Sequence, residues 1–154
     1  MKKTEYEQFM KYALEEAEEA KAIGEVPVGA VIVRSGEIIS RGHNKRETQN
    51  NSLCHAEIEA IHLACKSMNS WRLSDCDLYV TLEPCPMCTG AIINSRIKRV
   101  IFGAKDPKAG SCGSVINLFE LPYNHRPQII GGVFEGECSE LLSEFFKNLR
   151  KNKN

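Results

Sequence analysis

Apolar residues recur along this chain at intervals that alternate between helical and extended periods. Met10, Ala13, Leu14, Ala17 and Ala20 repeat every three or four residues, and Glu15, Glu16, Glu18 and Glu19 fill the places between them. That spacing predicts an amphipathic helix over residues 4–22, stopped by Gly24. Residues 28–33 are a short run rich in β-branched side chains, residues 34–37 (Arg-Ser-Gly-Glu) read as a turn, and residues 38–42 return as the partner strand of a hairpin. Helical spacing resumes over 55–67, with Ile58, Ile61 and Ala64 on the apolar side. Residues 78–82 predict a third strand. Pro84 suits the first turn of a third helix running to about Ser95, because proline is tolerated where no backbone N–H is needed. A fourth strand follows at 100–102, then a Gly-, Pro- and Asn-rich connection over 103–127 with a helical turn near 114–119. Residues 128–134 predict a fifth strand, and Leu141, Leu142, Phe145, Phe146 and Leu149 form the stripe of a last helix.

Strands alternating with helices imply one sheet covered on both faces, a three-layer α/β/α sandwich, and 154 residues suit a single domain over 1–154. The long connection before the fifth strand permits a parallel neighbour for the fourth, which needs a crossover of about a dozen residues, but does not require one. Apolar residues make up 42% of the chain and charged ones 26%, as in ordinary globular proteins. The longest apolar stretches, such as residues 30–33, fall far short of a membrane span, and the start of the chain has no apolar signal core. A cytoplasmic location is expected.

The seven cysteines are an odd number, which argues against a disulfide framework and for metal or catalytic use of some of them. Cys65, Cys76 and Cys138 read as small buried hydrophobes. Net charge is zero, so no strong general attraction to nucleic acid is expected. The charge is uneven, however. Residues 94–108 hold Arg96, Lys98, Arg99, Lys105 and Lys108 against Asp106 alone, and the tail adds Lys147, Arg150, Lys151 and Lys153. These clusters are either solvated faces or phosphate contacts.

The chemistry lies in His55-Ala56-Glu57 and Pro84-Cys85-Pro86-Met87-Cys88, each at the predicted start of a helix. One imidazole and two thiols meeting between two helix tips make a zinc site with three protein ligands, and three ligands leave a position for reactive water where four would close the shell. A helix start also favours thiolate at Cys85. Glu57 stands two residues from His55, which on a regular helix points the two side chains to nearly opposite faces, so both reach one metal only at the tip. Glu57 is then a proton carrier beside the metal. A structural zinc knuckle remains an alternative, with Cys54 as its fourth ligand, although neighbouring residues seldom bind one metal together. A redox C-x-x-C pair is another.

The pairing of H-A-E with P-C-x-x-C is itself the signature of the zinc nucleobase deaminases. Further matches cover nearly the whole chain: residues 26–31 (Val-Pro-Val-Gly-Ala-Val), Asn44, residues 78–84, Ser95-Arg96-Ile97, residues 102–106 (Phe-Gly-Ala-Lys-Asp) and Asn124-His125-Arg126. With them the chain resembles the bacterial tRNA adenosine deaminases. The resemblance implies a five-stranded mixed sheet of the cytidine deaminase-like type with strands four and five parallel, one zinc ion per subunit, a homodimer, and conversion of the wobble adenosine of a tRNA anticodon to inosine by zinc-activated water. By position, it implies that Asn44 bonds the target base, that the Ala56 backbone N–H meets its reacting edge, and that Val28 walls the pocket. Lys105, Asp106, Asn124 and Arg126 fall on loops near the anticodon nucleotides, and Phe146 and Arg150 on a final helix that approaches the RNA. His43 and His125 are candidates to stack on or bond RNA, whereas His62 reads as a surface or packing residue. Cys54 departs from the small residue common before the histidine. Deamination of free guanine, cytosine or nucleotides shares the same metal chemistry and is the rival substrate class. A non-catalytic zinc-stabilised binding module is the rival of another kind.

Overall fold

The computed structural model describes residues 3–152; Lys153, part of the basic tail, lies outside them. The glutamate-backed apolar stripe forms α1 (Lys3–Ala22), and the β-branched run forms β1 (Gly29–Arg34), which turns through Ser35 and Gly36 into β2 (Glu37–His43). There follow α2 (Ala56–Met68), β3 (Cys76–Leu82), α3 (Pro86–Ser95), β4 (Arg99–Ala104), a 3-10 turn (Leu118–Glu120), β5 (Gln128–Ile130) and α4 (Glu135–Asn152). The sheet order is β2-β1-β3-β4-β5, with β1 antiparallel to both its neighbours and β3, β4 and β5 mutually parallel. The long connection does carry a parallel crossover.

Helices cover both faces, so the inner strands are apolar on both sides, as sandwiched sheets require. On one face Ile32, Leu78, Val80, Val100 and Phe102 pack with Ala56, Ala60 and Ala64 of α2 and Ile92 and Ile93 of α3. On the other, Val31, Val33, Tyr79 and Ile101 meet Met10 and Ala13 of α1, and Cys138 of α4 lies against Gly103. Alanines on the inner sides of α1 and α2 let these helices approach very closely. A Cβ added at Gly29 would lie 2.1 Å from the Ala13 carbonyl oxygen, and one at Gly42 would lie 2.4 Å from that of Ala56. Gly42 therefore sets the depth at which the first turn of α2 rests on the sheet.

Three boundaries differ from the periodic reading. α3 begins at Pro86, with Cys85 as its N-cap, and Pro84 stands outside the helix, where its carbonyl accepts the Ser111 N–H at 2.9 Å. β5 ends at Ile130 instead of reaching Phe134, because Gly132 (φ 85°) and Phe134 (φ 53°) adopt left-handed backbone that turns the chain into α4. The helical turn in the long connection is confined to Leu118–Glu120; Asn117 caps it by accepting from the Phe119 N–H, and the residues before it form a bridge between Cys112 and Asn117.

Two alanine substitutions should separate close packing from helix propensity. Gly42→Ala is expected to lower unfolding free energy by about 1–3 kcal/mol, since the helix must lift off the strand. Gly90→Ala, in the middle of α3 with nothing within 4 Å of the added Cβ, should raise it by about 0.5–1 kcal/mol. Urea unfolding of both variants reads the two signs.

Candidate active site

Two helix N-termini converge beyond the C-terminal ends of β3 and β4, the edge of a parallel sheet at which α/β folds bind ligands. His55 is the N-cap of α2 (φ −82°, ψ 154°) and Cys85 the N-cap of α3 (φ −78°, ψ 175°), both in extended backbone. N-caps normally carry a side-chain acceptor for the helix's free N–H groups. Neither side chain makes such a bond here; both turn toward each other instead. Because His55 lies outside the helix, the i, i+2 conflict with Glu57 disappears, and the two side chains share the tip.

The His55 Nδ1 atom lies 3.6 Å from the Cys85 sulfur and 3.6 Å from the Cys88 sulfur. A tetrahedral zinc shell, with Zn–S about 2.3 Å and Zn–N about 2.05 Å, has an N···S edge of about 3.6 Å. The ligand atoms of His55, Cys85 and Cys88 all lie within 4.8 Å of one another. The donor set thus fits zinc in type and spacing. Cys54 is not part of it: its thiol bonds the Gln49 side-chain oxygen at 3.4 Å.

Hydrogen bonding from Cys88 brings the Cys85 thiol down to about 4 despite its partial burial, and His55 adds to the effect. Cys88 moves upward, because it keeps the proton it shares with the Cys85 thiolate and because it is buried. His55 rises through its bond with Cys85. Glu57 is 4% exposed, and burial pushes its carboxyl up to about 7, with the charge of His55 pulling the other way. A group poised there can both accept and release a proton at neutral pH.

Above this cluster opens a cavity of about 550 Å³. Of the residues expected at the substrate, Val28, Asn44, Ala56, Lys105, Asp106 and Phe146 line it together with His55, Glu57 and Cys85. Asn44 is nearly buried; its backbone N–H is tied to the Val28 carbonyl at 3.2 Å and its side-chain oxygen accepts from the Arg46 N–H at 3.4 Å. Asp106 turns its carboxylate back on its own loop, accepting from the N–H groups of Lys108 (3.0 Å) and Ala109 (3.3 Å). Asn124, Arg126 and Arg150 are exposed and stand apart from the cavity lining. His43 and His125 are engaged within the protein, His43 with the Glu16 carboxylate at 3.0 Å and His125 with the Ile97 carbonyl at 2.7 Å. His62 is exposed on α2.

Periodicity did not single out Val26, Arg46, Leu82, Glu83, Lys108 and Leu142 as wall residues. Two buried carboxylates hold the flanking loops. Glu25, 1% exposed, accepts from the N–H groups of Glu47 and Thr48, and Glu83, 2% exposed, accepts from those of Asp106, Cys112 and Ser114. Burial alone would raise both carboxyls, but the converging hydrogen bonds outweigh it and hold them below the usual carboxylate range. An acid between apolar neighbours, as in Glu25-Val26-Pro27-Val28 and Leu82-Glu83-Pro84, was the available signal for both.

Residues 4–150 match the family model of the MafB19-like deaminases. The chain is 52% identical to the tRNA-specific adenosine deaminase of Bacillus subtilis (strain 168), over 97% of this chain and 94% of that protein. Among solved structures it is similar to one from studies of A-to-I editing by tRNA:A34 deaminases at the wobble position, at a TM-score of 0.85 and 44% identity, covering 88% of this chain and 99% of that one. It is also similar, more distantly, to a guanine deaminase from Nitrosomonas europaea, at a TM-score of 0.74 and 25% identity over 90% of this chain and 83% of that one.

Zinc requires thiolates and a neutral imidazole, whereas Cys88 holds its proton and His55 is shifted toward the protonated form. Zinc binding at pH 7 should therefore release at least one proton, and affinity should fall as pH is lowered. Calorimetry in buffers of different ionisation enthalpy measures the count; binding with no proton release would contradict the assignment of these ligands.

Proposed function

Because the chain belongs to the MafB19-like deaminase family, and its relatives of high identity include tRNA-specific adenosine deaminases, we propose that it deaminates the wobble adenosine of a tRNA anticodon to inosine by hydrolysis. The observation that carries this reading is a three-ligand His-Cys-Cys cluster with the buried carboxylate of Glu57 beside it, at the base of a cavity walled by Asn44 and two loops. Three ligands support a catalytic site over a closed structural one, and among the described residues no fourth Cys, His, Asp or Glu joins the group.

His55, Cys85 and Cys88 would hold one zinc ion per subunit, which when bound acidifies water toward a pKa of about 7. Glu57 accepts a proton from the attacking water and passes it to N1 of the adenine ring as the oxygen adds to C6, then carries the remaining hydroxyl proton to the amino group, which leaves as ammonia. Asn44 and the Ala56 backbone N–H orient the base, and Val28 packs against it. Lys105 and Asp106 face the neighbouring nucleotides from the cavity wall, Asn124 and Arg126 approach them from the end of the same connection, just before β5, and Phe146 and Arg150 contribute from α4. An anticodon-loop base is unpaired, so extruding it costs little, and recognition then rests on phosphates, 2′-hydroxyls and splayed neighbours. Deamination of a free base uses the same residues up to Glu57 but gives the basic loop no task; the similarity to a guanine deaminase keeps that reaction as the comparison.

The active form we propose is a homodimer. Val115, Ile116, Leu121 and Tyr123, all in the connection before β5, are between 42% and 60% exposed, and a second copy would cover them. Light scattering should return twice the mass of one chain, and charge placed at Val115 and Tyr123 should reduce it to one. Among the described residues no helix is long and apolar enough to cross a membrane, and the cytoplasmic location we propose follows from where tRNA is processed.

Zinc-loaded protein incubated with an anticodon stem-loop should yield inosine by nucleoside mass spectrometry. Glu57→Gln should lower kcat by about 10²–10⁴ while zinc content is retained. Deamination of free guanine or cytosine with the RNA untouched would sink the substrate assignment.

A further inference from the structure

We propose that Glu83 is a positioning residue for this reaction: its carboxylate clamps the substrate-facing segment 105–114 to the metal-bearing turn and thereby sets affinity for RNA. The proposal rests on the deaminase reading above for its kinetic consequence and on geometry alone for the clamp.

Glu83 directly follows β3 and stands two residues before Cys85. Its backbone N–H donates to the Ala104 carbonyl at 2.8 Å, which carries the β3–β4 pairing one step past the strand end. Its side chain accepts from the N–H groups of Asp106 at 3.0 Å, Cys112 at 3.0 Å and Ser114 at 3.1 Å, and from the Ser114 hydroxyl. One buried carboxylate thus fastens both ends of the segment. The adjoining peptide adds a further tie, with the Ser111 N–H on the Pro84 carbonyl at 2.9 Å. Between the fastened ends lie Pro107, Lys108 and Ala109, which with Lys105 and Asp106 make one wall of the cavity.

The approach is built for this side chain. A Cβ at Gly110 would lie 2.4 Å from the Glu83 carboxyl carbon and 2.5 Å from the Asp106 carbonyl oxygen, so only glycine lets the segment close onto the carboxylate. The groups that bond its carboxylate are all donors, and an amide in its place would aim its own N–H₂ at some of them, leaving buried polar groups unpaired. Lys105 and Lys108 are exposed at the cavity rim. Releasing the clamp should therefore blur their placement against the RNA without touching the metal ligands.

The test compares full-length zinc-loaded wild type with Glu83→Gln and with Ser114→Ala, which removes one donor and spares the carboxylate should Glu83→Gln fail to fold. Zinc content, hydrogen exchange by mass spectrometry, and kcat and KM on an anticodon stem-loop are measured for each. Faster exchange in 105–118, unchanged exchange in α3, retained zinc, and a KM raised about tenfold with kcat within about threefold are expected, Ser114→Ala moving the same way by less. Unchanged exchange in 105–118 would overturn the clamp. So would loss of zinc and of α3 protection with KM unaltered, since Glu83 would then be a structural support of the metal helix. Wild type that makes no inosine would remove the deaminase reading only, because the exchange comparison needs no substrate.

Discussion

The geometry of the candidate site depends on holding two helix N-termini so close that His55, Cys85 and Cys88 bring their ligand atoms within 4.8 Å of one another. His55 begins α2 and Cys85 begins α3, and the 3.6 Å spacing of imidazole nitrogen and thiols survives only while both helices rest at fixed depth on the same sheet face. The sheet supplies that depth through small residues. Ala56, Ala60 and Ala64 lie inward on α2, and Gly42 opposite them leaves no room for even a methyl group. Close packing of backbone on backbone is less compliant than contact between long side chains, which is what a tetrahedral site needs from its scaffold.

Placing the site at helix tips also decides its electrostatics. Free N–H groups and the helix dipole favour negative charge, so a thiolate at Cys85 suits a position where burial alone would oppose it. Glu57 sits in the first turn of α2 yet is pushed up to about 7, because at that depth lost hydration outweighs the favourable field. Two carboxylates, Glu57 and Glu83, are buried within a short stretch of structure and differ in their donors. Several N–H groups converge on Glu83 and hold it ionised and fixed, whereas Glu57 has fewer and keeps a titratable proton. Glu83 is thereby suited to anchor a loop and Glu57 to carry a proton.

The cavity wall is made of loops, and loops need fastening. Glu25 secures the segment after β2 that presents Asn44 and Arg46, and Glu83 secures the segment after β4. A polar anchor buried at the foot of each loop costs desolvation, which the converging N–H donors offset. His43 and His125 belong to the same design: His43, at the end of β2, is bonded to Glu16, and His125, in the connection before β5, to the Ile97 carbonyl, so each helps to place the segment next to it.

Much of this was legible without coordinates. The stripe from Met10 to Ala20, the β-branched run at 28–33 and the hairpin after it depend on local periodicity, and they appear within a residue or two of expectation. The clustering of His55, Cys85 and Cys88 was legible because residue type and spacing carry the chemistry: His-Ala-Glu and Cys-Pro-Met-Cys stand at helix starts that can face one another. Where local signals conflicted, periodicity misplaced the boundary. Either Pro84 or Pro86 could open α3, and only the N-cap geometry at Cys85 chose Pro86; the apolar run through Phe134 continued as a pattern after left-handed backbone had ended β5. The sequence by itself therefore singled out the residues with the chemistry to hold a metal and move a proton, since that depends on the chemistry of neighbours in the chain. Tertiary structure alone decided which charges, like Lys105 and Lys108, stand exposed at the cavity and which, like Glu25 and Glu83, are buried to hold its loops, because a carboxylate's role depends on which donors distant segments bring to it.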